Sequence, residues 1–292
     1  MLWIPLTLAA APLQVARNAL QRGLVGDAGP WGATLVRFLF GLPFSLAIFG
    51  VTALLTPGAH PDFRAGFWIA VAIGALTQVG ATASLLVAMR RAGFGVATAM
   101  QQSSLPFAAV FGLLAGDRPS GFAWAGVASA TLGLVILSWP RQVQPQGAGT
   151  GALMGLVSGA AFAVALNAYR EAGLALEPAH PIYAGTAGVC VAQALQSLGL
   201  VAFLAARRPG ALRVVAASWR QSLGAGAFGS AGSACWFAAL AQAPAAAVRA
   251  VGVAEIPVAA LAGARLFKER MTLRQGLGAA LAAAGVVATA LS

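Results

Sequence analysis

The chain alternates between apolar runs of about twenty residues and short polar or turn-forming breaks. A helix of roughly 20 apolar residues crosses a bilayer. The period-2 alternation of a membrane barrel strand is not seen. The runs predict ten helices: Leu2–Gln21, Trp31–Leu55, Phe67–Met89, Phe94–Ala115, Phe122–Trp139, Ala152–Tyr169, Ile182–Ala205, Ser218–Leu240, Ala246–Phe267 and Leu273–Leu291. Between the fifth and sixth, residues 140–149 are rich in Pro, Gln and Gly, as a linker is. They separate a first unit, 1–139, from a second, 150–292. The opening MLWIPLTLAAAPLQVARNALQRG has no basic residue before its apolar stretch, so it reads as a first span and not a signal peptide. Pro12, Pro43, Pro106 and Pro257 fall inside predicted spans, where each removes a helix hydrogen bond and marks either a hinge or a fixed bend.

Composition agrees with this pattern. Of 292 residues, 59% are hydrophobic and only 9% charged, against about a quarter charged in soluble domains. The net charge is +11, but the basic residues stand singly or in pairs between apolar runs. That pattern suits loops beside an anionic membrane surface and gives no nucleic-acid footprint. Arg22, Arg90, Arg91, Arg141, Arg207, Arg208, Arg213, Arg220, Lys268, Arg270 and Arg274 follow odd-numbered helices; only Arg64, Arg118 and Arg170 lie on the other side. The bias predicts a cytoplasmic first set and outward termini. Cys190 and Cys235 lie in apolar runs without metal-ligand spacing, so neither a metal nor a disulfide is expected. His60 and His180 each precede a proline in a loop.

The two units repeat. A shift of about 150 residues brings Asn18 onto Asn167 and Pro106 onto Pro257; one inserted residue brings Gly126 onto Gly278 and Gly133 onto Gly285. Five spans per unit is an odd number, so the second copy enters the membrane from the opposite face. The expected fold is therefore an all-α polytopic membrane protein: ten transmembrane helices in two inverted five-helix repeats around a central cavity. Inverted repeats are characteristic of secondary transporters, with the site near the midplane.

Ionisable and amide groups inside a span are costly unless paired or in a wet cavity, so they are the site candidates. Of seven acids, only Glu255 lies deep in a predicted span. It reads as a proton carrier or a ligand for an ammonium, or else as a partner locked to a neighbouring arginine. Arg249 precedes it by six residues, about 120° around a helix, so the two are not expected to pair. Arg249 either grips a substrate carboxylate or snorkels to the interface. Gln14, Arg17, Asn18 and Gln21 share one helical face, Arg37 lies near the same membrane side, and Asn167 is the repeat partner of Asn18. Gln101, Gln102 and Ser104 precede Pro106, and Ser104 is the repeat counterpart of Glu255. Tyr169 and Trp236 either stack on an aromatic substrate or pack in the bundle.

Leu261–Gly285, LAGARLFKERMTLRQGLGAALAAAG, resembles the signature of EamA-type members of the drug/metabolite transporter superfamily, and LLAGDRPSGFAWAGVASATLG looks like a degenerate copy. Around Val248-Arg249…Glu255-x-Pro257 the chain is most similar to bacterial amino-acid exporters, aromatic ones included. The resemblance implies an inner (plasma) membrane secondary transporter exporting small neutral metabolites, amino acids foremost, by alternating access. Drug or cation efflux by the same fold is the alternative. No cofactor is implied; the partners are a small-molecule substrate and the lipid bilayer, and a fused repeat is compatible with a monomer. Neither a Walker A sequence nor HExxH nor a nucleophile–base pair is visible, so no enzymatic activity is expected.

Overall fold

The structure, a computed structural model, describes residues 2–114, 116, 118, 120–138, 148–253, 255, 258, 261–262, 265 and 272–290. Its helices are α1 (Trp3–Leu39), α2 (Leu42–Leu55), α3 (Ala65–Ala92), α4 (Phe94–Gln101), α5 (Ser104–Leu114), α6 (Gly121–Ser138), α7 (Ala148–Leu176), α8 (Pro181–Arg207), α9 (Pro209–Ala217), α10 (Trp219–Leu240), α11 (Ala245–Gly252) and α12 (Leu273–Ala290). No strand occurs among the described residues. Ala28–Leu55, Ala65–Ala92, Gly149–Leu176, Pro181–Arg207 and Trp219–Leu240 are long and apolar enough to cross a membrane; Ser104–Leu114 and Gly276–Gly285 are shorter apolar helices.

Polarity is distributed for lipid. Leu54, Leu76, Leu114, Leu198 and Leu273 are exposed, whereas Gln14, Arg17, Arg37, Gln101, Gln102, Arg249 and Glu255 are buried. Outward leucines gain nothing from burial when the solvent is hydrocarbon. Inward polar groups avoid the cost of an unsatisfied donor or charge in it. The chain is a polytopic helical membrane protein.

Several predicted helices are joined or broken differently. No loop separates the first two: α1 is continuous except at Gly29, whose φ of 69° only glycine takes readily. Gln21 Nε2 spans the kink to Ala33 O at 2.8 Å. The predicted second helix is instead interrupted at Phe40–Gly41, and Pro43 sits in the first turn of α2. The fourth is split between α4 and α5. There Pro106 has no N–H for the Gln102 carbonyl, which accepts from Leu105 N at 2.9 Å in a tight turn. Pro43 and Pro106 therefore start helices after a break, while Pro12 lies in an unbroken stretch of α1. Pro257 and residues 140–147 lie outside the described residues; the last two linker positions, 148 and 149, already belong to α7. The predicted ninth helix ends its first segment at Gly252, with Val253 N–H turned back to Ala250 O at 3.0 Å. α9 was not foreseen: a short helix that buries Val215 and leaves Arg213 exposed.

The packed pairs are reciprocal. The most extensive are α3 with α7, α6 with α12, and α1 with α10. Glycines let the backbones approach, as small residues do in membranes. A Cβ at Gly74 would strike the Tyr169 ring, and one at Gly224 would touch Leu20 Cδ1. A Cβ at Gly133 would meet Ala282 and Gly278, and one at Gly285 would meet Ala130 and Gly126. In that crossing residue numbers rise along one helix as they fall along the other, so α6 and α12 run antiparallel.

Candidate functional site

The breaks in the bundle bring polar side chains inward. α5 and α11 pack together, and α1 packs against α11. Glu255, fully buried, lies where they meet. Its Oε2 accepts from Gln14 Nε2 at 2.8 Å and from Gln102 Nε2 at 3.4 Å, and lies 3.6 Å from Arg249 Nη1. Arg249 also donates through Nε to Ser104 Oγ at 2.6 Å and through Nη2 to Gln102 Oε1 at 2.5 Å. Its guanidinium lies 5.5 Å from the centroid of the Trp236 ring. Gly252 makes room for that indole: a Cβ there would collide with it.

Two expectations for Arg249 are thereby corrected. It is 3% exposed, so it does not snorkel, and it does pair with Glu255. The six-residue rotation assumed an unbroken helix, but α11 stops at Gly252 and Val253 lies in a turn. All three nitrogens of Arg249 are engaged within the protein. Breaking one partner of such a buried pair leaves an uncompensated charge, at a cost on the order of 3–5 kcal/mol.

Beside this network lies a cavity of about 30 Å³, lined by Gln14, Arg37, Gln78, Gln101, Phe162, Ala165, Leu166, Tyr169, Ser233, Trp236, Phe237, Leu240 and Arg249. Such a volume holds a couple of waters. Arg37, 2% exposed, donates to Thr82 Oγ1 and Ser233 Oγ, both at 3.2 Å. Its stem and that of Arg17 flank one point: a Cβ at Gly229 would lie 3.2 Å from Arg37 Cγ and 3.3 Å from Arg17 Cδ. Arg17 is turned onto Asn18 Oδ1, with Nε at 3.1 Å and Nη2 at 2.6 Å.

The helix-1 face predicted from spacing thus divides. Gln14 joins Glu255, Arg17 and Asn18 bond each other, and Gln21 caps the Gly29 kink. Asn167 donates to Ala163 O at 3.0 Å and Ala108 O at 3.4 Å, so its bonds go to backbone and not to Asn18. Tyr169 and Trp236 both line the cavity. Tyr169 OH donates to Gln78 Oε1 at 2.8 Å, and Gln196 Nε2 donates to the same oxygen at 2.7 Å. Gln78, Gln196, Ser233 and Thr82 were not singled out in the sequence. The two glutamines carried a signal, a lone amide within an apolar span; the hydroxyls, common in membrane helices, did not. Gln193 was missed likewise. Its Nε2 donates to Ser230 Oγ at 3.0 Å, which donates to Gly41 O at 2.7 Å and so satisfies the break in the second span.

No curated protein matches this chain. A solved crystal structure, described simply as that of a protein, is similar with a TM-score of 0.62 and 16% sequence identity, over 99% of this chain and 96% of that one. At that identity the likeness concerns the fold alone. Residues 149–291 match the model of the EamA-like transporter family, and the second half of the chain therefore carries an EamA-like transporter domain.

Proposed function

We infer that the protein is a secondary transporter exporting small neutral metabolites, amino acids including aromatic ones foremost, by alternating access. The observation that carries this reading is the buried polar and aromatic cavity beside two broken helices, α4–α5 and α11, whose side chains hold one another through Arg249. Interrupted helices around a midplane cavity are how transporters present polar groups within a bilayer. The reciprocal crossings of α6 with α12, and of α3–α7 with α1–α10, support two inverted repeats and ten crossings, with 140–149 as the link between them. The arginine-rich loops favour a cytoplasmic position for the ends of α3 and α8, in keeping with an inner (plasma) membrane protein. A fused repeat carries both halves in one chain, which is compatible with a working monomer.

In this reading the 30 Å³ cavity is an occluded state. Opening requires α5 and α11 to separate, and Glu255 is placed to govern that step. A proton on Glu255 cancels its charge and weakens its hold on Arg249 and Gln102, which ties α11 to the α4–α5 break. The test is Glu255→Gln reconstituted in liposomes, with detergent melting as the control for folding. Proton-driven export should be lost while the protein remains folded. Full retention excludes Glu255 as the coupling group.

A further inference from the structure

The described core holds three buried guanidinium groups, those of Arg17, Arg37 and Arg249, and one carboxylate, Glu255. The other described acids lie elsewhere: Asp62 pairs with Arg64 in a loop, Glu177 follows α7, and Glu171 is exposed. Glu255 is engaged by Arg249. Arg17 meets only the neutral amide of Asn18 and Arg37 only two hydroxyls in the bonds they make. Charge in a low-dielectric interior without a counter-charge is among the costliest arrangements available to a protein. The cavity wall repeats the imbalance in its hydrogen bonds. Arg37 Nε and Trp236 Nε1 are buried N–H donors with no acceptor among the described residues, and both residues line the cavity. Gln101 Oε1, an acceptor on the same wall, also lacks a partner among the described residues.

We propose that Arg37 and the Trp236 indole N–H form a carboxylate-binding site, so that the transported solutes are organic acids with an apolar or aromatic body, free or as the acid end of an amino acid. A carboxylate accepts from both orphan donors and supplies the missing negative charge, and guanidinium is the group best shaped to receive it. Phe162 and Phe237 offer the body an apolar wall. Gln101 Oε1 takes one further donor, such as the ammonium of an amino acid. Cations are rejected, because they would enter beside the Arg37 guanidinium, whose bonds among the described residues go to two hydroxyls and no carboxylate. Arg249 does not serve as the anchor, since its Nε and Nη2 already donate to Ser104 and Gln102 and its Nη1 faces Glu255. This inference rests on the reading that the cavity admits a solute.

Three probes with one phenyl body and different heads test it: 3-phenylpropionate, L-phenylalanine and phenethylamine. Binding is measured by thermal shift on the purified full chain, and flux by liposome counterflow. The two carboxylates should bind and phenethylamine should not. Arg37→Gln should weaken both carboxylates about tenfold or more, with partial recovery in Arg37→Lys. Trp236→Phe, which keeps a ring but removes the N–H, should weaken them by about fivefold and covers the case in which Arg37→Gln does not fold. Equal binding of phenethylamine, no binding of either carboxylate, or unchanged carboxylate affinity in both Arg37→Gln and Trp236→Phe overturns the proposal. Flux of phenethylamine without carboxylate binding would leave the transport reading standing and end this one. Carboxylate binding without flux of any probe would do the reverse.

Discussion

Gly133 and Gly285 each rest against the backbone of the other's helix, Gly133 on Ala282 and Gly285 on Ala130. The two contacts are the same contact seen from opposite ends. Such reciprocity marks a local two-fold relation. A side chain at either position must wedge the two helices apart. Gly133→Ala and Gly285→Ala should each destabilise the protein by about 1–3 kcal/mol, and the double substitution by less than the sum, because both force the same separation. Gly50→Ala, which would meet nothing within 4 Å, should be neutral or slightly stabilising. Melting of the detergent-solubilised variants reads all four.

Glu255 and Arg249 form one energetic unit. Glu255→Gln and Arg249→Gln should each cost on the order of 3 kcal/mol or more, because each leaves the other's charge buried without its partner. The double variant removes both charges and should recover part of that loss. A double-mutant cycle on melting free energies measures the coupling; strictly additive losses would mean that the 3.6 Å approach carries no interaction.

Trp236 is held over Arg249 by the absence of a side chain at Gly252. Gly252→Ala should therefore destabilise the wild-type protein by about 1–3 kcal/mol but be close to neutral in a Trp236→Ala background. An equal cost in both backgrounds would show that the penalty arises in the α11 backbone and not from the indole.

Outside the membrane, Glu177 ties the loop between α2 and α3 to the end of α7. It accepts the His60 N–H at 2.6 Å, lies 3.3 Å from His180 Nδ1, and is followed closely by Asp62 N–H bonding Leu176 O at 2.7 Å. The His60 N–H, then His180, hold its carboxyl below the usual range. A carboxylate whose folded pKa is lowered contributes in full above its unfolded value, about 4.3, and loses the contribution as pH falls through the folded value. Melting temperatures should therefore decline on acidification below about pH 5, and Glu177→Gln should be less stable than wild type at neutral pH but show a shallower acid decline. Identical pH profiles would mean that the clamp contributes nothing.

Much was legible in the chain because a bilayer leaves few choices. With no water to receive backbone groups, apolar runs of this length must be helices, and the few polar residues within them must turn inward. Composition and spacing thus determined the all-helical membrane fold, the internal correspondence of Gly126 and Gly133 with Gly278 and Gly285, and the short set of groups that includes Gln14, Gln102, Ser104, Arg249 and Glu255. Tertiary structure decided which of these meet. Periodicity assumes straight helices, but the predicted fourth span is cut at Gln102–Ser103 and the predicted ninth ends its first segment at Gly252, and Arg249 pairs with Glu255 where 3.6 residues per turn would part them. It also selected Arg37 over Arg249 as the cation with an unsatisfied edge, and brought Gln78 and Trp236 to the same cavity wall. Residue type and local spacing set what a side chain can do; which neighbour satisfies it depends on contacts between segments more than a hundred residues apart, as from Gln14 to Glu255.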